Sequence, residues 1–266
     1  MIQDAIAAAY ANRWEDALDL LLGAAEAGEN TAQAQLGILA GKPGDDDWRR
    51  LRISIDAQKL VTPRPLDRLS GVSSTSIGVS RGYASPAMCG WLIERATNRL
   101  EPSLVNDAET GESQHANRTA MNCAFGPQDR DMIVAVLQAR AAGLTNLPVN
   151  HHEAPNVISY LPGQQFGLHV DFVDPTVPAF QRELQILGQR VITIVTYLND
   201  DFDEAPTHFP ALGLDFRGNC GDALAFSNVR PDGSPDRNTV HAGKPPTRGR
   251  KWVLSQWVRN RPQPSA

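Results

Sequence analysis

Basic residues are not in excess in this sequence: 25 Lys and Arg stand against 30 Asp and Glu, a formal net charge of −5. A domain that binds nucleic acid ordinarily carries a clear basic surplus, so that class is set aside. No polybasic stretch is present to hold a membrane surface, and no run approaches the roughly 18 consecutive apolar residues of a membrane span. The segment Met1 to Ile6 lacks the basic start, apolar run and cleavage site of a secretory signal. Cysteine is scarce. Cys89, Cys123 and Cys220 are far apart and odd in number, with neither zinc-like spacing nor a secreted disulfide framework. They read as buried or half-buried thiols in a reducing compartment. A cytoplasmic protein with neither nucleic acid nor membrane as partner is expected.

What is present is a chain of 266 residues with 41% hydrophobic content, enough for one sizeable core and a small accessory unit. Ile2, Ala5, Ile6, Ala9 and Tyr10 recur at helical spacing, as do Trp14, Ala17, Leu18, Leu21, Leu22 and Ala25. Gly28 to Asn30 break the pattern, and Thr31 is placed to cap a further helix through Leu39. The stretches 14–18, 24–28 and 32–37 together resemble a repeat of the Sel1 type. Arrays of such repeats need about three units to stand alone, and little more than one is here. Residues 1–41 are therefore expected to form a helical cap on the main domain. The competing reading is a docking module for a protein partner. Gly41 to Asp47, turn-forming and acidic, marks the boundary, and the main domain runs over residues 48–266.

Pro63 and Pro65, with the Ser/Gly-rich run that follows, point to loops with one or two short strands. Ser85 as N-cap with Pro86 behind it predicts a helix to about Leu100. A second helix is expected over residues 129–142, with Met132, Ile133, Val136, Leu137 and Arg140 on one face. After Pro155 the chain changes to strands, expected at residues 157–160, 167–172, 190–198, 223–226 and 252–258, with a brief helix at 182–188. Helices followed by a run of strands indicate an α+β domain with an antiparallel sandwich or barrel in its C-terminal half.

His169-Val170-Asp171 is the first cluster with chemistry in it. Residues two apart on a strand share a side, so one imidazole and one carboxylate can converge on an ion. His241, in Thr239-Val240-His241-Ala242-Gly243, supplies a second imidazole. Two histidines and one carboxylate leave the far side of an ion open, which suits non-haem iron(II) that must take a co-substrate and then oxygen. Among the other histidines, His151 and His152 sit in a polar loop and read as solvated surface. His208 is compatible with either the pocket or the solvent. Lys251 follows His241 after Gly243, Pro245, Pro246 and Gly249, a turn signature that should set it on the strand beside His241. A buried lysine there would need an anion, because an unpaired buried charge is costly. The alternative is a surface lysine in the basic turn Arg248-Gly249-Arg250-Lys251.

From Glu153 to Trp257 the chain resembles the catalytic domain of the prolyl 4-hydroxylase family of 2-oxoglutarate oxygenases. The matching pieces run in order from Tyr160-Leu161-Pro162-Gly163 to His169-Val170-Asp171. Then come Arg190-Val191-Ile192-Thr193, Tyr197-Leu198-Asn199-Asp200, Thr207-His208-Phe209-Pro210 and Gly221 to Phe226. His241-Ala242-Gly243, Gly249-Arg250-Lys251-Trp252 and Trp257 complete them. Upstream, Arg118-Thr119 lies where the family carries an Arg-Thr/Ser pair. The resemblance implies a double-stranded β-helix (jelly-roll) core, with the metal region at 153–258.

It also implies roles. His169, Asp171 and His241 would bind iron(II), and Lys251 would pair with the distal carboxylate of 2-oxoglutarate, with Tyr160 and Thr207 as its hydrogen-bonding neighbours. Trp257 is expected to pack the final strand rather than touch substrate. The implied reaction uses oxygen, with ascorbate as an accessory reductant. It splits 2-oxoglutarate into succinate and carbon dioxide while a C–H bond of the substrate is hydroxylated. That substrate is expected to be a prolyl or other residue in a polypeptide. A free amino acid or small metabolite is the second reading, and a non-catalytic interaction protein is the reading from another class. One departure stands out: the family usually has Gly-Gly before Thr207, where this chain has Glu204-Ala205-Pro206. Side chains at those positions restrict the backbone near the pocket mouth.

Overall fold

Helical spacing in the first forty residues produces α1 (Ile2–Tyr10), α2 (Trp14–Glu26) and α3 (Asn30–Leu39). In this computed structural model residues 1–69, 75–103, 105–107, 111–113 and 118–264 are described. The Ser/Gly-rich run at 70–74 lies outside them. α3 starts one residue ahead of Thr31, with Glu29 at its cap position and no side-chain cap bond. Two short helices follow that the sequence reading did not find, α4 (Trp48–Ser54) and α5 (Ala57–Val61). Each is started by an aspartate, Asp47 accepting from the Arg50 amide and Asp56 from the Lys59 amide. α6 (Pro86–Thr97) begins as expected, with the Ser85 hydroxyl accepting from the Met88 amide.

α7 (Met132–Thr145) starts later than expected, at the N-cap Asp131. It does not present a single apolar face either. Every residue from Met132 to Leu137 is buried. A helix buried all round needs cover on both sides, and α7 has it: α1 to α3 lie on one side and the strands on the other, all in one apolar cluster. Two polar bonds tie the layers, from the Met132 amide to the Gln35 side chain and from the Tyr10 hydroxyl to the Gln138 side chain. α8 (Gln181–Leu187) is the brief helix read from the sequence. No helix among the described residues is long and apolar enough to cross a membrane.

The strands are β1 (Asp67–Arg68), β2 (Ile77–Ser80), β3 (Glu101–Pro102), β4 (Val105–Asp107), β5 (Gly111–Ser113) and β6 (Met121–Ala124). Those that carry the site are β7 (Asn156–Tyr160), β8 (Phe166–His169), β9 (Arg190–Tyr197), β10 (Asp203–Glu204) and β11 (Thr207–Phe209). The last are β12 (Leu214–Phe216), β13 (Ala223–Ser227), β14 (His241–Gly243), β15 (Pro246–Arg248) and β16 (Lys251–Arg259). One sheet has the order β1-β2-β13-β9-β16-β7-β6-β3, and a smaller one β12-β11-β14-β8. From β7 onward the chain passes back and forth between them, and β10 and β15 pair at the edge.

β16 shows why the site sits between the sheets. Its residues alternate by strand pleat. Trp252 and Leu254 face the helices, while Lys251, Val253, Ser255 and Trp257 line a cavity toward the smaller sheet.

Candidate metal centre

His169 ends β8 and His241 opens β14, and these strands pair with the two histidines opposite each other. Asp171 lies on a bend just past the end of β8, so its convergence with His169 does not come from strand alternation as the sequence suggested. The three side chains nonetheless meet, with donor atoms all within 4.8 Å of one another. Asp171 stands 3.5 Å from His169 Nε2 and 3.7 Å from His241 Nε2. Those separations are too long for good hydrogen bonds and suit donors sharing one cation.

The protonation of the ring nitrogens fits the same use. His169 Nδ1 lies 2.8 Å from the Gly167 carbonyl and His241 Nδ1 lies 2.9 Å from the Thr239 carbonyl. A carbonyl can only accept, so each Nδ1 carries a proton, and in the neutral ring that leaves the Nε2 lone pair toward Asp171. Burial pushes His241 down to about 4, helped by the neighbouring His169, and keeps it neutral near pH 7. Burial works against the charge of Asp171, but the two imidazoles and the Thr193 hydroxyl outweigh it and hold the carboxyl well below its usual range. Two imidazoles that present Nε2 and one carboxylate are a donor set for iron(II).

The supporting residues were given no role in the sequence, although Arg118 and Thr193 lie in segments that carry the resemblance. Thr193 Oγ1 donates to Asp171 over 2.7 Å and accepts from the Asn228 amide over 2.9 Å. On the other side, the Phe166 ring stacks on His169 with centroids 3.5 Å apart, and the Arg118 guanidinium lies over the Phe166 ring, 4.2 Å from its centroid. The matching piece Arg190-Val191-Ile192-Thr193 and the period-2 pattern of β9 hinted at Thr193, which shares a side with Val195 and Tyr197. Nothing local marked Asn228.

Lys251 lines the same cavity, but the turn after His241 does not bring it to the adjacent strand. β14 pairs with β8 and β11, whereas β16 runs between β7 and β9 in the opposite sheet. Lys251 thus faces His241 across the interior. It is 1% exposed, which removes the surface reading. Its Nζ donates to the Ala205 carbonyl over 2.8 Å and lies 5.2 and 5.1 Å from the rings of Tyr160 and Tyr197. No carboxylate among the described residues pairs with it. Burial, together with the charge of Arg217, pushes its pKa down to about 7. An incoming anion would supply what the protein does not.

Tyr160, paired with Lys251 across the β7–β16 ladder, turns its hydroxyl toward Gly243. Thr207 also lines the cavity, yet its hydroxyl is engaged with Tyr197. The single proton of Tyr197 goes to the Phe216 carbonyl over 2.8 Å, so Thr207 Oγ1 must be the donor in the 2.8 Å bond between the two hydroxyls. Thr207 would have to turn from Tyr197 before donating to a ligand. A Cβ on Gly243 would stand 2.8 Å from Tyr160 Oη. Gly243→Ala is therefore expected to push the phenol into the cavity. It should cost roughly 1–3 kcal/mol of stability by overpacking and raise the KM for a ligand at Lys251, both readable from a melt and a saturation curve.

For three further residues the structure adds to the sequence reading, and for His152 it overturns that reading. Trp257 does not merely pack the last strand: its indole lines the cavity, with Arg190 stacked 4.3 Å from the ring. His152 is not solvated surface but 7% exposed, seated by a bridge to Val258, and burial pushes it down to about 4. His208 turns away from the cavity to Asp215 over 2.6 Å. The cysteines are free, Cys89 and Cys123 buried and Cys220 half-buried.

Two-histidine, one-carboxylate sets with an open side mark the non-haem iron(II) oxygenases, and comparison with known proteins gives the same class. Residues 155–259 match the 2OG-Fe(II) oxygenase superfamily. Probable prolyl 4-hydroxylase 3 of Arabidopsis thaliana is 30% identical over 200 residues, covering 68% of each chain. Prolyl 4-hydroxylase 5 of the same plant is 31% identical, covering 67% of this chain and 66% of its own length. A viral collagen prolyl hydroxylase from Paramecium bursaria Chlorella virus-1, solved with 2-oxoglutarate, shares the fold. Its TM-score is 0.52 at 22% identity, covering 68% of this chain and 94% of that one. The chain belongs to the prolyl 4-hydroxylase-like family of iron(II)- and 2-oxoglutarate-dependent oxygenases. It is a 2-oxoglutarate-dependent dioxygenase, with iron(II), 2-oxoglutarate and oxygen as its cofactor and co-substrates.

Proposed function

We propose that this enzyme hydroxylates a prolyl or other amino-acid residue within a polypeptide. In this reading His169, Asp171 and His241 hold iron(II), and Lys251 takes the far carboxylate of 2-oxoglutarate with Tyr160 and Thr207 beside it. The observation that carries it is one cavity with three candidate metal donors on one wall and, on the other, a buried lysine that no carboxylate among the described residues pairs with. When bound, the metal and its co-substrate supply the oxidising chemistry. The protein's part is placement: the Gly167 and Thr239 carbonyls orient the imidazoles, Thr193 fixes the carboxylate, and the two sheets exclude water from the space between. Hydroxylation of a polypeptide is supported by the relatives, which are named as prolyl 4-hydroxylases. A second reading, a free amino acid or small metabolite, is favoured by the exposed Glu204 side chain where the family has glycine. Succinate release from iron(II), ascorbate and 2-oxoglutarate, screened against proline-containing peptides and free amino acids, tests both. Release with peptides alone is expected, and release with free amino acids alone would overturn the polypeptide reading.

The fold carries the same reading further. The two facing sheets are a jelly roll, with its metal core over residues 153–258 of an oxygenase domain at 48–266. Residues 1–41 are its Sel1-like cap, a role supported by the burial of every residue from Met132 to Leu137 of α7. A cytoplasmic location is favoured by the three free cysteines.

A further inference from the structure

Glu204 and Ala205 have φ of 60° and 52°, two consecutive residues with a Cβ in the left-handed region. L-residues pay for that conformation in contact between Cβ and the following carbonyl, and they adopt it singly, not in pairs. Surroundings must impose it here. The strand pairing shifts register between Asp203 and Glu204 where β10 meets β15. Pro206 follows, and the Ala205 methyl is fully buried among apolar side chains that include Tyr160, Tyr197 and Phe209. The outcome of the unusual turn is that the Ala205 carbonyl points inward and accepts from Lys251 Nζ. Among the described residues that is the one hydrogen bond of this ammonium group.

We propose that the left-handed pair Glu204–Ala205 is a positioning element for Lys251, holding its ammonium in the cavity, ready for the distal carboxylate of 2-oxoglutarate. The proposal rests on the assignment of Lys251 as the anchor for that carboxylate. An ammonium on a four-carbon stem has many rotamers to lose on binding. Fixing it beforehand removes that cost from the binding step. One of its three donors goes to Ala205, which leaves two for a ligand. The Cβ atoms of Glu204 and Ala205 matter because they restrict the backbone. Glycine at either place fits the same φ without strain but also permits others.

Glu204→Gly is the cleaner test, since this side chain is exposed, and Ala205→Gly is its buried companion. Binding of 2-oxoglutarate is measured by anaerobic titration of the iron(II)-loaded protein, and KM and kcat are measured alongside. Both variants should bind 2-oxoglutarate about two- to tenfold more weakly. The same rise should appear in KM, kcat at saturation should hold, and the melting temperature of Glu204→Gly should not fall. Lys251→Ala is the reference, with a loss of more than about a hundredfold. Unchanged or tighter binding in both glycine variants, with Lys251→Ala still impaired, would overturn the positioning role alone. Unchanged binding in Lys251→Ala would overturn the anchor and with it the positioning.

Discussion

Alanine at His169, Asp171 or His241 is expected to abolish turnover and strip iron(II) from the protein while leaving the fold in place. Each side chain would be one of three protein donors, and each carries a single donor atom to the shared point. Loss of a residue that only orients a ligand typically costs about 10–100-fold in metal affinity, so loss of a ligand itself should exceed about 100-fold. Thr193→Val provides the graded control. It keeps the shape of the side chain and removes the hydroxyl that donates to Asp171, so its loss of affinity should fall within that lower range. Metal titration and succinate release measure both quantities. A triad variant with full metal affinity and activity would remove its residue from the site.

Deleting residues 1–41 should have the largest effect on stability. Leu18, Leu21 and Leu36 in α2 and α3 are fully buried, and their cluster includes Ile133 and Val136 of α7. Burying one such side chain is worth about 1.5–3 kcal/mol, so uncovering two or three on the remaining domain costs on the order of 5 kcal/mol. That is comparable with the whole stability of many domains. The truncated protein is expected to melt roughly 10–20 °C lower or to precipitate, because α7 would present its outer face to water. The docking-module reading gives the opposite result, a truncated enzyme that melts like the full chain and loses only a macromolecular partner. A thermal melt and a small-substrate turnover assay on the same truncated protein separate the two.

The elements legible in the sequence are those long enough to show a period. β7, β9, β13 and β16 span five to nine residues each, and α6 and α8 were found near their observed limits. The three-residue strands β11, β12, β14 and β15 were not, because three residues carry no measurable alternation. α4 and α5 were lost for the same reason, and their aspartate caps were the only signal. Expectations also failed where a residue's surroundings are distant in the chain. Lys251 was placed beside His241 because the turn between them is obvious locally, yet β16 is claimed by β7 and β9. For α7 the sequence reading named a single face, Met132, Ile133, Val136, Leu137 and Arg140, whereas Val134 and Ala135 outside that face are buried too. His152 looked like its neighbour His151 but is held against Val258 near the other end of the domain. At the site, residue type and resemblance carried His169, Asp171, His241 and Lys251. The hydroxyl behind Asp171 comes from 22 residues further along the chain and the amide from 35 beyond that, and nothing in the types of Thr193 and Asn228 marks that contact.

Each imidazole proposed to hold the metal is tied to a carbonyl two residues earlier in its own segment, Gly167 for His169 and Thr239 for His241. The choice of tautomer is therefore a short-range property, made within a three-residue stretch and independent of how the sheets pack. Breathing between the layers would alter the spacing of the two Nε2 atoms without changing which nitrogen is bare. Loosening of the core by heat or mutation should thus weaken metal binding by degrees, through geometry, and leave the ligating atoms the same.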